Sequence, residues 1–258
     1  MTLYDLVNST ALVTGASRKI GIGAAIAREL ASGGANVFIT YFRAYDQSMP
    51  WGVGTREPDE LLDELHAYGI KAGGLELDLG QPDAAQRLFD AVEASLGPVN
   101  ILVNNATVSE PGDIFQVDAA QLDRHYAVNI RNLVLLCAEF ARRFRPGLPG
   151  RIINVSSGQS AGPMPGEIAY VTTKGGVEAF TLSASAELAS RGITVNAIDP
   201  GATDTGWMSA DLKEELMRRA PMGRVGEPMD AAHLIRFLAS REAGWITGQL
   251  IRSRGGLA

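Results

Sequence analysis

The sequence is poor in the residues that crosslink a chain or bind structural metals. Its 258 residues include one cysteine and three histidines. A lone cysteine, Cys137, excludes an intrachain disulfide, and we interpret it as a packing residue of a predicted helix. The histidines lie far apart, without the spacing of metal ligands, so we expect no metal site.

Long apolar runs and an excess of positive charge are also missing. No run approaches the roughly 18 apolar residues of a membrane span, and the first residues lack the features of a signal peptide. Lys and Arg number 23 against 29 Asp and Glu, a net charge of −6. This balance argues against a broad nucleic-acid surface. We therefore expect a cytoplasmic protein that engages neither membranes nor nucleic acids.

Short apolar runs alternate with longer helical patterns along the whole chain. The predicted strands are Thr10–Thr14, Asn36–Tyr41, Leu75–Leu77, Val99–Val103, Arg151–Val155, Ile193–Ile198 and Gln249–Arg252. The predicted helices are Ile22–Ser32, Glu57–Ala67, Pro82–Leu96, Ala119–Arg145, Glu167–Ser190 and Pro228–Ala239. This order predicts an α/β fold: one Rossmann-type domain over residues 1–258, with a doubly wound, seven-stranded parallel sheet and helices on both faces. Ligands of such sheets bind beyond the carboxyl ends of the strands.

Two segments interrupt the alternation. Arg43–Pro58 is a long connection with glycine and proline, and it is either a surface insertion or a binding loop. Residues 199–220 begin at the end of a strand and include a short helical pattern, Ser209–Ala220, so we predict a substrate lid there. Trp207 and Met208 in this lid either line a substrate pocket or pack the lid down.

A glycine-rich loop joins the first predicted strand to the first helix. Gly15, Gly21 and Gly23 stand where a chain must turn tightly and where backbone must approach a pyrophosphate. The helix that follows presents free N–H groups and the positive end of its dipole. The loop therefore predicts a dinucleotide site, although a glycine string alone is a weak signal.

The residues after the second strand bear on which dinucleotide binds. An acid about 20 residues beyond the glycines binds the ribose hydroxyls of NAD, but this count from Gly23 reaches Arg43, and the first acid is Asp46. Guanidinium groups suit a 2′-phosphate. Arg18 and Arg43 therefore predict a preference for NADP(H), with NAD(H) as the alternative. Either arginine could instead be a solvated surface charge.

A phenol and an ammonium lie four residues apart, at Tyr170 and Lys174, and share one helix face. A nearby cation lowers the pKa of a phenol, which suits proton transfer at neutral pH. Ser157 stands thirteen residues before Tyr170, and Asn129 stands twenty-eight before Ser157. The Tyr–Lys spacing alone is common, so its weight comes from these neighbours.

Together these motifs resemble the short-chain dehydrogenase/reductase family. The resemblance runs from Thr10 to Gly256 and includes the glycine loop and the Asn, Ser, Tyr and Lys order. Five residues separate Gly15 from Gly21, where the family pattern has three. Thr107 replaces the last glycine of the family's Asn-Asn-Ala-Gly motif, so we expect a differently shaped wall beside the cofactor.

The resemblance implies both a cofactor site and a catalytic group. Tyr170 would donate a proton to the substrate oxygen, and Lys174 would hold the nicotinamide ribose and lower the tyrosine pKa. Ser157, rather than its neighbour Ser156, would polarise the carbonyl, and Asn129 would position a water that links Lys174 to solvent. The implied cofactor-binding residues are Gly15, Ser17, Arg18, Gly21, Ile22, Gly23, Tyr41, Arg43, Asp78, Leu79, Asn105, Ala106, Tyr170, Lys174, Pro200, Gly201, Thr203 and Thr205.

The expected activity is NADP(H)-dependent reduction of a carbonyl to a secondary alcohol, or the reverse. Within the family, the sequence most resembles 3-oxoacyl-[acyl-carrier-protein] reductases, so a 3-oxoacyl thioester is one candidate substrate. A sugar, small ketone or secondary metabolite is the alternative, and a non-catalytic dinucleotide-binding sensor is a further one. The resemblance also implies a homotetramer or a homodimer.

Overall fold

The computed structural model describes residues 4–256, which form a seven-stranded parallel sheet. The strands lie in the order β3-β2-β1-β4-β5-β6-β7. From β1 the chain adds strands outward to β3 on one side, and from β4 it adds strands outward on the other side, so the strand order reverses between β1 and β4. Their bounds are β1 Thr10–Thr14, β2 Asn36–Tyr41, β3 Ala72–Glu76, β4 Ile101–Asn104, β5 Gly150–Val155, β6 Ile193–Asp199 and β7 Leu250–Arg252. The predicted doubly wound α/β fold is confirmed.

Helices cover both faces of the sheet. They are α1 Ile22–Ser32, α2 Arg43–Ser48, α3 Glu57–His66, α4 Ala84–Leu96, α5 Ala119–Tyr126, α6 Leu133–Arg143, α7 Ile168–Leu188, α8 Ala210–Arg219 and α9 Pro228–Ala239. One core layer joins α1, α3 and α9 to the sheet, and the other joins α4, α6 and α7. Ala11 and Val13 of β1 face the first layer and Leu12 faces the second, because strand side chains alternate.

Four segments differ most from the sequence-based prediction. The predicted helix Ala119–Arg145 is interrupted by a π-helical turn, Ala127–Asn132, and ends at Arg143. The third strand lies at Ala72–Glu76 rather than at Leu75–Leu77, and α4 begins at Ala84 rather than at Pro82. The connection after β2 holds a short helix, α2, which hydrophobic periodicity over six residues cannot reveal.

The parallel register brings the carboxyl ends of the central strands together. Val13 of β1 lies beside Val103 of β4, and Asn104 of β4 lies beside Asn154 of β5. The residues that follow these strands therefore meet at one edge of the sheet, at the point where the strand order reverses. This is where open α/β sheets bind their ligands. Among residues 4–256, none of the helices is long and apolar enough to cross a membrane.

Candidate active site

The glycine loop packs directly against the segment that follows β4. Gly15 has a φ of +75°, and a Cβ there would lie 2.7 Å from the Cα atom of Ala106. A Cβ on Gly23 would lie 2.3 Å from the carbonyl oxygen of Gly15. The amide of Asn105 donates to the carbonyls of Thr14 and Gly15, at 2.9 Å each. Only glycine fits these positions, and the bare backbone forms one wall of a cavity.

The two extra residues of this loop extend toward α3. The backbone N–H of Lys19 donates to the Glu57 carboxylate at 2.7 Å, and its ammonium lies 2.8 Å from Glu64 and 3.0 Å from Glu60. The longer loop is therefore tied down away from Gly15 and Gly23, whose close contacts it leaves in place.

A cavity of about 1030 Å³ opens at the edge of the sheet. Its volume is at the upper end of those found for small-molecule and cofactor sites, and the start of α1 borders it. The cavity and its side-chain-free glycine wall fit a dinucleotide. The predicted cofactor residues that line it are Gly15, Ser17, Arg18, Gly21, Ile22, Gly23, Tyr41, Asp78, Leu79, Asn105, Ala106 and Thr205.

Arg43 does not line this cavity. Its guanidinium pairs with Glu76 at the end of β3, with an Nε to Oε1 distance of 3.1 Å, and Nη1 donates to the carbonyl of Thr55 at 2.8 Å. The hydrogen bond from Arg43 lowers the pKa of Glu76, so this charge already has its partner. The arrangement therefore disfavours the predicted cofactor contact from Arg43.

Arg18 lines the cavity and is held by the connection after β2. Its Nε lies 3.4 Å from the Oδ1 atom of Asp46, and its guanidinium lies 5.2 Å from the centre of the Trp51 ring. Nη1 donates to the carbonyl of Thr205 at 2.9 Å. Burial lowers the pKa of Arg18, which Asp46 partly offsets.

Four residues of this connection line the cavity and were not among the predicted cofactor residues: Ala44, Tyr45, Asp46 and Trp51. The Tyr45 hydroxyl accepts from the backbone N–H of Ser109 at 3.0 Å, which ties the connection to the segment after β4. The segment is thus a part of the site rather than a surface insertion. No local pattern signalled these residues, because α2 spans only six residues.

Besides Arg43, the predicted cofactor residues that do not line the cavity are Tyr170 and Lys174 on α7 and Pro200, Gly201 and Thr203 on the loop after β6, whereas Thr205 of that loop does line it. Gly201 has a φ of +66°, and its N–H donates to Asp199 at 2.9 Å. The hydroxyl of Thr203 donates to the carbonyl of Pro200 at 3.1 Å. The indole N–H of Trp207 donates to the Thr203 carbonyl at 2.9 Å, which fixes the start of the predicted lid.

The structure brings Tyr170 and Lys174 together on α7, one turn apart. The Lys174 ammonium lies 5.5 Å from the centre of the Tyr170 ring and donates to the carbonyl of Val155 at 2.8 Å. Lys174 is only 3% exposed, and burial lowers its pKa to about 8. The ammonium therefore lies beside the phenol at the carboxyl end of β5.

The pKa of Tyr170 differs from the expectation. Burial raises it to about 12, which outweighs the hydrogen-bonding contact with Ser157 that lowers it. The phenolate loses more solvation free energy on burial than it gains from interactions with the neighbouring protein groups. The phenol is therefore protonated at neutral pH, as a proton donor must be.

The two neighbouring serines have different partners. The Ser156 hydroxyl donates to the Glu178 carboxylate at 2.9 Å and is buried. Ser157 is the serine that contacts the Tyr170 hydroxyl. This geometry agrees with the choice of Ser157 that the spacing indicated.

Asn129 lies in the π-helical turn, and its side chain is fully engaged. Its oxygen accepts from the Thr107 hydroxyl at 3.1 Å and from the Val108 N–H at 2.8 Å. Its amide donates to the Val108 carbonyl and to the Thr173 hydroxyl, at 2.9 and 3.0 Å. The side chain thus braces the cofactor wall against α7, and a water relay to Lys174 stays a prediction. Thr107 contributes a hydroxyl to this brace that the family's glycine could not.

Comparison with known proteins agrees with this site. A family model described as Enoyl-(Acyl carrier protein) reductase matches residues 15–258. The chain is 47% identical over 248 residues to the uncharacterized oxidoreductase YjdA of Bacillus subtilis, covering 95% of each chain. It is 34% identical over 254 residues to the 3-oxoacyl-[acyl-carrier-protein] reductase FabG of Staphylococcus epidermidis, covering 97% of this chain and 99% of that protein.

A solved structure is similar over the whole chain. It is a provisional 2-deoxy-d-gluconate 3-dehydrogenase from Agrobacterium tumefaciens with bound NADP, with a TM-score of 0.85 and 31% identity. The match covers 100% of this chain and 99% of that one. The chain belongs to the short-chain dehydrogenase/reductase family. It is an enzyme of the oxidoreductase class, as the sequence predicted.

Gly23→Ala tests the glycine wall. The added methyl group would lie 2.3 Å from the Gly15 carbonyl oxygen, so the wall must move and the cavity must change shape. We expect the dissociation constant for NADPH, measured by fluorescence titration, to rise at least about tenfold, or about 1.4 kcal/mol. Gly162→Ala, at a position with open space around it, is the control and should bind as the wild type does. Unchanged binding by Gly23→Ala would contradict the assignment of this wall.

Proposed function

We propose that this enzyme uses NADP(H) to reduce a carbonyl group to a secondary alcohol. The observation that carries the proposal is the group formed by Ser157, Tyr170 and Lys174 at the carboxyl end of β5. This group lies on the same edge of the sheet as the dinucleotide-sized cavity, just outside the residues that line it. This group pairs a protonated phenol with a buried ammonium. A non-catalytic sensor would need the cavity but has no use for this group.

Each member of the group has a role that its geometry supports. A bound nicotinamide supplies the hydride. The Ser157 hydroxyl donates a hydrogen bond to the carbonyl oxygen of the substrate, and Tyr170 gives its proton to the same oxygen as charge develops there. The Lys174 ammonium, 5.5 Å from the ring centre, stabilises the phenolate that remains. Asn129 is a positioning residue, because its hydrogen bonds hold α7 against the cofactor wall.

Arg18 supports NADP(H) over NAD(H) as the cofactor. It is a cation in the cavity lining, close to the end of β2, where the adenosine ribose of a dinucleotide binds. A guanidinium is the group that suits a 2′-phosphate, and a structural relative was solved with NADP. Arg43, the other predicted candidate, does not line the cavity.

A 3-oxoacyl thioester is the first substrate to test, because the relative from Staphylococcus epidermidis is a 3-oxoacyl-[acyl-carrier-protein] reductase. A sugar is the second candidate, which the name of the Agrobacterium relative supports. The segment 199–220, with Trp207 lining the cavity, is the proposed substrate lid. The cytoplasmic location and the homotetramer or homodimer stay predictions.

Tyr170→Phe tests the catalytic assignment. We expect the wild type to oxidise NADPH, followed by its absorbance, with a short 3-oxoacyl thioester. The variant should lose at least about a hundredfold in rate, because no proton donor remains. The dissociation constant for NADPH should stay within a few-fold, since the ring is kept.

Two results would contradict parts of this proposal. Substantial turnover by Tyr170→Phe would remove Tyr170 from the proton-transfer step. Binding of NADPH without thioester turnover would reject that substrate class, and a panel of sugars and small ketones would then be tested in the same assay.

The pH dependence of reduction follows from the two perturbed groups. Tyr170, with a pKa raised to about 12, keeps its proton throughout the accessible range. Lys174, with a pKa lowered to about 8, loses its charge as the pH rises through that value. We expect the rate of reduction at saturating NADPH and substrate to be constant below about pH 7 and to fall above about pH 8.

The measurement is the initial rate between pH 6 and about 10, with the thermal unfolding midpoint followed over the same range to exclude denaturation. A rate that stays constant up to about pH 10 while the protein remains folded would show that the Lys174 charge is not needed.

A further inference from the structure

The chain places two arginine–carboxylate pairs close to the end of β2. Arg43 pairs with Glu76 outside the cavity lining, whereas Arg18 and Asp46 pair within it. In the sequence, Arg43 stands 20 residues beyond Gly23, and Asp46 is the first acid that follows it. Because of the helix α2, the acid Asp46 lines the cavity and Arg43 does not.

Asp46 is held firmly in this position. Its Oδ1 atom accepts from the Trp51 indole N–H at 3.1 Å and lies 3.4 Å from the Nε atom of Arg18. The side chains of Arg18 and Asp46 are only 13% and 14% exposed. Arg18 is in turn fastened to the carbonyl of Thr205 and covered by the Trp51 ring. The carboxylate therefore cannot leave the cation without breaking a set of linked contacts.

This pair lies where the adenosine ribose of a dinucleotide is expected to bind. In folds of this kind, the residues just beyond the second strand meet the adenosine ribose, where NAD carries a 2′-hydroxyl and NADP a 2′-phosphate. A carboxylate accepts a hydrogen bond from a hydroxyl but repels a phosphate, and here it also shares the guanidinium that the phosphate would use.

We propose that Asp46 is a specificity-determining residue of the cofactor site, which weakens NADP(H) binding relative to NAD(H). The inference rests on the proposed function, since it takes Arg18 as the partner of a 2′-phosphate. The unmodified chain therefore binds both dinucleotides, and its preference for NADP(H) is smaller than Arg18 alone would give.

Asp46→Asn isolates this effect. The amide oxygen can still accept from Trp51, so the substitution removes the charge and keeps the shape. We measure the dissociation constants of NADPH and NADH for the wild type and the variant by fluorescence titration at one ionic strength. We expect the ratio of the NADH constant to the NADPH constant to rise about tenfold, because the 2′-phosphate gains an unshared guanidinium.

Glu76→Gln is the matched control. It also removes a carboxylate from an arginine near the end of β2, but outside the cavity lining, and it should change the ratio by less than about twofold. An equal rise in the ratio for Glu76→Gln would overturn the specific role of Asp46. An unchanged or lower ratio for Asp46→Asn, with both cofactors bound, would overturn it as well.

These results are distinguishable from a failure of the proposed function. A wild type that binds NADH more tightly than NADPH contradicts the proposed cofactor preference, while a rise of the ratio in Asp46→Asn would still support the role of Asp46. A wild type that binds neither dinucleotide overturns both.

Discussion

The close approach of Gly23 to the carbonyl of Gly15 is the constraint on which the site depends. It sets the start of α1 directly beyond the end of β1 and leaves no room for a side chain between them. Asn105 secures the approach from the neighbouring strand, because its amide donates to the carbonyls of Thr14 and Gly15. The cavity exists because these three elements meet without side chains in the space where a pyrophosphate would bind.

The same segment after β4 connects this wall to the proton-transfer group. Asn105 holds the glycine loop, and two residues later the Thr107 hydroxyl bonds to Asn129. Asn129 bonds to Thr173 on α7, the residue next to Lys174. These hydrogen bonds, together with the backbone from Asn105 to Thr107 and the bond from the Thr173 hydroxyl to the Tyr170 carbonyl, connect the cofactor wall to the helix that carries the phenol. Proton and hydride must reach adjacent atoms of one carbonyl, so this connection is what the chemistry requires.

Much of this arrangement could be predicted from the sequence, because it depends on patterns that repeat locally. The apolar runs predicted the strands, and the glycines between the first strand and helix predicted the cavity wall. The spacing of Tyr170 and Lys174 placed them on one face of α7, where the structure has them.

The rest depends on three-dimensional contacts that no spacing reports. Arg43 and Asp46 differ by three positions, yet a short helix sends one to Glu76 and the other to Arg18. The π-helical turn at Asn129 cannot be seen in the hydrophobic periodicity of the sequence, so Ala119–Arg145 was predicted as one continuous helix. The Tyr170 pKa depends on burial, which the Tyr–Lys spacing does not measure. Thr107 looked like a steric change in the wall, but its hydroxyl bonds to Asn129.

The most direct test of the whole account is a crystal structure of the enzyme with NADP⁺. We predict the pyrophosphate against Gly15 and Gly23, the 2′-phosphate within hydrogen-bonding distance of the Arg18 guanidinium and beside Asp46, and the nicotinamide ribose at Tyr170 and Lys174. A 2′-phosphate bound to Arg43, or a dinucleotide bound outside the cavity, would contradict it.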